Sequence, residues 1–143
     1  DHIGGLSALL NANPKAVVHI PPSLKGIKYK NKVISYGEPA EIYPGIFTTG
    51  ELKNIEQSLF IDTSEGFIVV IGCCHPGLET ILNIYHDKKI KLVIGGLHGS
   101  EEYDQLSKAD MICPIHCTKK IDDIKKLYPE KHIEGGAGTV III

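Results

Sequence analysis

The chain has 143 residues, of which 43% are hydrophobic and 22% charged, and its net charge is −2. That composition suits one soluble globular domain and lacks the basic excess that a nucleic-acid or membrane-surface binder carries. All 15 basic residues are Lys, so no guanidinium is present to clamp a phosphate or carboxylate in bidentate fashion. The chain opens on Asp1-His2, with no Met and no signal-like stretch before "IGGL". No run approaches the roughly 18 apolar residues of a membrane span.

In chain order, "GLSALLNANP" predicts a short amphipathic helix stopped by Asn and Pro, and "KAVVHIPP" a brief strand stopped by Pro-Pro. "IKYKNKVISYGEPAEIYPGIFTTGEL" reads as one or two weak strands in an irregular segment. "QSLFIDTSEGFIVVIGCC" carries two β-rich runs around a "TSEG" turn, a hairpin signal. The period then changes. Leu78, Ile81, Leu82 and Tyr85 fall at helical spacing after Pro76. "IKLVIGG" predicts a buried strand, "SEEYDQLSKAD" a helix capped by Ser100, and "MICPIH" a strand. "TKKIDDIKKLYPE" predicts an amphipathic helix capped by Thr118, and "GTVIII" a final apolar strand. A β-rich first part followed by alternating strands and helices implies an α/β layered architecture, a single domain over residues 1–143.

Chemistry gathers at the strand-to-loop junctions of the second part. "FIVVIGCCH" ends in His75, "KLVIGGLH" in His98 and "MICPIH" in His116. In layered α/β folds that edge is where sites form, because strand ends are rigid and the loops leave room for a ligand. Taken singly, a His at a strand end is more often a hydrogen-bonded structural residue than a ligand; the repeated placement favours ligation. Asp1 and His2 add a carboxylate and a further imidazole, and such donors suit zinc, iron or manganese. His19 precedes Pro-Pro and is a weaker site candidate, while His86 and His132 read as surface residues. The four Cys stand as Cys73-Cys74 and as Cys113 and Cys117 in "CPIHC". Vicinal cysteines are poor material for a disulfide framework, and C-x-x-x-C is not the C-x-x-C redox spacing. They read as reduced thiols of a cytoplasmic protein acting as small hydrophobes.

These residues resemble the metallo-β-lactamase superfamily. "DHIGGL" is similar to the second half of its H-x-H-x-D-H-x-G-G signature, "GCCHPG" to its third motif and "PIHCT" to its last His motif. With "EIYPGIFTTGEL", "EQSLFIDTSEGFIVVIGCCHPG" and "GGLHGS", the set resembles the subgroup of the dihydropterin–ribofuranosylaminobenzene phosphate synthases. The resemblance implies the C-terminal part of an αββα sandwich with a two-metal site at its edge. It implies Asp1, His2 and His116 as ligands of one metal and His75 as a ligand of the other. A metal-activated hydroxide would attack a carbonyl or phosphate ester, or serve a pterin-related condensation, with Asp1 also relaying its proton. His98 stands where the superfamily usually carries a bridging Asp; a catalytic role is expected for it, by metal ligation, substrate contact or support of a ligand, and not as a bridge.

Because the H-x-H pair of the signature is not in the chain, an N-terminally truncated domain with an incomplete binuclear site and weak or no activity alone is expected. The expected cofactor is a divalent metal, zinc first and iron or manganese as alternatives. A small-molecule substrate is the expected partner, together with a second copy of the chain or a missing N-terminal half, and neither nucleic acid nor membrane. The alternative reading is a non-enzymatic, self-associating fold fragment.

Overall fold

The structure is a computed structural model that describes residues 3–25 and 32–143. Asp1 and His2 lie outside the described residues, so the structure places neither.

The centre is a six-stranded sheet in the order β3-β4-β5-β6-β7-β8. Its strands are β3 (Ala40–Tyr43), β4 (Ile46–Thr48), β5 (Leu59–Thr63), β6 (Gly66–Ile71), β7 (Ile90–Gly96) and β8 (Ala109–Ile115). The hairpin expected around "TSEG" is β5–β6, antiparallel, with Thr63 opposite Gly66. From β6 onward the pairing is parallel. Each of these parallel neighbours needs a crossover, and the intervening segments provide it: α2 (Leu78–Leu82) after β6 and a 3₁₀ helix (Tyr103–Lys108) after β7. The helix α3 (Ile121–Leu127) follows β8.

The alternation along β6 explains how the sheet buries one face. Phe67, Val69 and Ile71 are buried and the residues between them are half-buried. The buried set joins Phe60, Leu78, Ile81, Leu82, Val93, Leu106, Ile112 and Ile124 in one core under the helices. Leu78, Ile81 and Leu82 therefore do what their helical spacing predicts, although the helix itself has 5 residues. Tyr85 lies beyond it, its ring 4.9 Å from that of Phe60, and its hydroxyl donates to the Thr48 carbonyl at 2.9 Å. The aromatic body is packed while its polar tip is satisfied.

The first part forms a smaller unit. Helix α1 (Leu6–Ala12) and β1 (Val18–Ile20) share a second cluster around Leu10, Val18 and Ile20, and β1 pairs in parallel with β2 (Val33–Ser35). Gln57 ties it to the main sheet by donating to the His19 carbonyl at 3.0 Å.

Three local expectations are corrected. "GTVIII" is not a strand: the chain leaves the edge of β8 after Ile133, which donates to the Ile112 carbonyl at 2.8 Å, and Val140 and Ile142 are exposed. Gly135 still lies against Cys113 and Ile115 of β8, and Gly138 turns the chain at φ 87° before the apolar run begins. Thr118 does not cap α3, whose N-cap is Lys120. The Thr118 hydroxyl is already engaged, donating to the Ile115 carbonyl at 2.8 Å and accepting from the Leu97 N–H at 2.9 Å. The segment after Ser100 is a 3₁₀ helix entered from Glu102, not an α-helix capped by Ser100. The Glu102 carboxylate accepts from the Glu79 N–H at 2.9 Å, so this residue serves the start of α2 instead.

Candidate metal centre

The parallel register decides what meets at the sheet edge. Ile71, Gly95 and Pro114 stand side by side on β6, β7 and β8. The chain therefore leaves all three strands at one level, and it delivers Gly72-Cys73-Cys74-His75, Leu97-His98 and His116-Cys117 there.

Each exit turns through a non-glycine residue in the left-handed region: Cys74 at φ 65°, His98 at 42° and His116 at 57°. Side chains avoid that conformation, at a cost of order 1–2 kcal/mol each, and such outliers cluster at functional sites. Here they reverse the chain at the rim, so residues that a straight exit would carry away into solvent are kept at the strand ends. Hydrogen bonds fix two of the exits against each other. The Lys119 N–H donates to the His98 carbonyl at 2.9 Å, and Thr118 links the Leu97 N–H to the Ile115 carbonyl.

The first exit is organised by a residue to which sequence reasoning assigned no role. Glu56 accepts from the backbone N–H groups of Cys73 at 2.9 Å, Cys74 at 3.0 Å and His75 at 3.0 Å. Its second oxygen also lies 3.3 Å from His75 Nδ1. Burial pushes the Glu56 carboxyl upward, but the three backbone donors and the imidazole outweigh it and hold the group below the usual carboxylate range. A tight turn delivers Glu56. Lys53 and Asn54 both have positive φ, and the Ile55 N–H donates to the Leu52 carbonyl at 3.1 Å, a primed hairpin turn. The only signal in the sequence was an acid just before "QSLF".

His75 is thus oriented through Nδ1, which leaves Nε2 as its outward donor atom. A carboxylate on one imidazole nitrogen with the other presented outward is the arrangement that commonly supports a metal-binding His. The His98 ring stands beside it, centroid to centroid 5.1 Å. His116 is exposed on the third exit and borders a separate hollow with Gly72, Gly95 and Gly96.

The donor atoms closest together include only one that the sequence singles out, His98. Cys73 Sγ lies 3.1 Å from Cys117 Sγ and 3.4 Å from His98 Nδ1. Among the described residues, Cys73, His98 and Cys117 are the one group of three or more His, Cys, Asp or Glu whose ligand atoms converge within 4.8 Å. The sequence reading gives these thiols no ligand role; the fold brings Cys117 to Cys73, across β7. Cys113 is buried, and its thiol is pushed up by that burial. Burial likewise raises the Cys73 thiol, with hydrogen bonding and repulsion from Cys117 adding to it. All four cysteines are free thiols.

The other described histidines lie apart from this cluster, and His19 Nδ1 and His132 Nε2 are buried without a hydrogen-bond partner among the described residues. His19 stacks on Tyr36 at 5.6 Å and lines a cleft of about 400 Å³ that also reaches Glu56, Cys73 and His75. His86 is exposed beside Asp87. His132 pairs its backbone with β8 through a bridge to Ile112 and is half-buried, so it is not the surface residue the sequence suggests.

The donor chemistry at this edge fits a divalent metal: imidazoles at His75, His98 and His116, thiols at Cys73 and Cys117, and a carboxylate behind His75. Among the described residues no helix is long and apolar enough to cross a membrane.

No family model matches the chain. It is similar to a curated protein of Methanocaldococcus jannaschii, 7,8-dihydropterin-6-methyl-4-(β-D-ribofuranosyl)-aminobenzene-5′-phosphate synthase. The two are 28% identical over an alignment covering 57% of this chain and 42% of the relative. It is also similar to a crystal structure described as a metal-dependent hydrolase of the β-lactamase superfamily. That likeness has a TM-score of 0.66 at 24% identity and covers 80% of this chain and 59% of that one. The chain thus spans less than two thirds of either protein's length. The resemblance read from "GCCHPG" and "PIHCT" holds at the level of architecture: this α/β chain has the fold of the β-lactamase superfamily.

Proposed function

We propose that this chain serves metal-dependent hydrolysis, with a divalent metal held at the exit edge of β6, β7 and β8. In this reading His116, with Asp1 and His2 by resemblance, holds one metal and His75 is a ligand of the other, and zinc is the first metal to consider. When bound, the metal supplies polarisation of a carbonyl or phosphoryl group and a lowered pKa for water. The chain's own residues do the positioning. Glu56 fixes the His75 tautomer and ring plane, the left-handed exits hold the imidazoles at the rim, and His98 stands beside His75 to contact substrate.

The observation that carries this reading is the Glu56–His75 pair at the end of a parallel strand. A carboxylate that takes three backbone N–H groups and one imidazole holds a rigid donor, which a surface His does not need. The fold neighbour's description as a metal-dependent hydrolase supports it. The synthase named for the curated relative supports a phosphorylated pterin-related small molecule as substrate class. The free thiols support a reducing compartment such as the cytoplasm.

The test is hydrolysis of bis(p-nitrophenyl) phosphate by the purified chain with added zinc or manganese. Slow turnover above that of the free ion is expected, abolished by chelation and reduced at least ~10-fold by His75→Ala, as loss of a metal-holding group predicts. Hydrolysis that survives both chelation and the His75→Ala, His116→Ala pair contradicts the reading.

A further inference from the structure

We propose that Cys73, His98 and Cys117 form a metal site of their own, a two-thiolate, one-imidazole site for a zinc-class divalent cation. This inference does not rest on the hydrolase reading, since neither His75 nor His116 contributes a ligand to it.

Geometry is the first argument. A tetrahedral zinc with bonds of about 2.3 Å to sulfur and 2.0 Å to nitrogen places sulfur and nitrogen about 3.5 Å apart, and two sulfurs about 3.8 Å apart. The Cys73 Sγ to His98 Nδ1 distance of 3.4 Å already matches. The two sulfurs, at 3.1 Å, need to open by about 0.7 Å. Cys117 has room to make that move, because it is half-buried and sits just after the left-handed His116. A disulfide would need the sulfurs to close to about 2.0 Å, and it would leave the nitrogen aimed at Cys73 without a purpose.

Construction of the site is the second argument. Cys73 is 5% exposed, so its thiol is fixed from the β6 side. Cys117 crosses to it over Gly96, where an added Cβ would lie 2.5 Å from Cys117 Sγ and 2.4 Å from the Gly72 carbonyl oxygen. Glycine at 96 therefore provides the space that the Cys117 sulfur occupies. His98 is set from a third direction by its left-handed backbone and by the Lys119 N–H on its carbonyl. Three separate strand exits thus each supply one donor, and the β7 and β8 exits are tied together by the Lys119 and Thr118 hydrogen bonds.

The donor set is the third argument. Two sulfurs and one imidazole nitrogen select a borderline-soft cation over magnesium or calcium, which take oxygen ligands. Binding exchanges the two S–H protons for the cation and releases them to solvent, so no oxidant or reductant is involved. Three protein ligands leave a fourth position, which the half-buried His98 and Cys117 open to solvent.

Cobalt(II) added to the full chain, reduced and freed of metal, tests the site. At least one cobalt per chain is expected, with thiolate-to-cobalt absorption in the near ultraviolet and the visible bands of tetrahedral cobalt. Cys73→Ser and Cys117→Ser should each remove most of the thiolate absorption, whereas the His75→Ala, His116→Ala pair should retain it. X-ray absorption of the zinc-loaded unmutated chain gives a readout that needs no variant: two sulfur neighbours at about 2.3 Å and nitrogen or oxygen at about 2.0 Å. Cobalt bound without thiolate absorption, zinc with no sulfur neighbour, or absorption that persists in the doubly Ser-substituted chain overturns the proposal. Loss of hydrolysis with the sulfur signature intact would sink the hydrolase reading and leave this one standing.

Discussion

Glu56 is the residue whose removal the account predicts to be most informative. It is half-buried, and its carboxylate is the shared acceptor for the Cys73, Cys74 and His75 N–H groups. In Glu56→Gln one oxygen becomes an NH₂ that faces donors, so one or two of those N–H groups lose their acceptor. A loss of about 1–3 kcal/mol in unfolding free energy is expected by chemical denaturation. Zinc affinity should fall by roughly 10–100-fold in a competition titration, as it does when the group behind a ligating imidazole is altered. A variant that keeps both wild-type stability and wild-type affinity would show that Glu56 merely decorates the turn. At this scale the sequence was half legible. Three His at three strand exits could be read because each ended an apolar run. Glu56, Cys73 and Cys117 could not, because their importance comes from contacts 17 to 44 residues apart in the chain.

Among elements, the exits of β7 and β8 depend on one hydroxyl. Thr118 Oγ1 accepts from the buried Leu97 N–H and donates to the Ile115 carbonyl, so it joins the loop that carries His98 to the loop that carries Cys117. Thr118→Val keeps the shape but leaves the Leu97 N–H without that acceptor. The expected cost is about 1–3 kcal/mol in thermal or chemical unfolding, with Thr118→Ser retaining most of the stability. Equal stability of the Val and Ser variants would mean that the hydroxyl is dispensable. This residue also shows why element boundaries were harder to read than element types. A Thr just before an amphipathic run reads locally as a helix cap, but a partner from a neighbouring strand exit took its hydroxyl first. Likewise Glu102, the last residue of "GGLHGSEE", caps α2 across space rather than its own helix. Local rules fail here where a non-local partner competes and wins.

For the whole molecule, the strand-rich first part and the alternating second part were enough to reach the α/β layered class. The switch of hydrophobic period after Cys74 marks the change from antiparallel to parallel pairing. The apolar end "GTVIII" misled because composition alone carries no partner: β8 is the last strand of its sheet, and the chain beyond Ile133 leaves it. The same topology explains why chemistry collects at one edge. Antiparallel strands alternate their exits between two edges, whereas β6, β7 and β8 all run one way and discharge three donor-bearing turns at the same level. The β-lactamase-superfamily fold is thus used here to bring sulfur and nitrogen donors from distant segments into one rim.

The rim at the ends of β6, β7 and β8 is proposed to bind a divalent metal. Elemental analysis of the purified chain, before and after mild chelation and again after reconstitution with zinc, tests it most directly. At least one zinc, iron or manganese per chain is predicted, removable by chelator and restored on reconstitution. A chain that stays folded yet takes up no stoichiometric metal under any of these conditions would contradict the account.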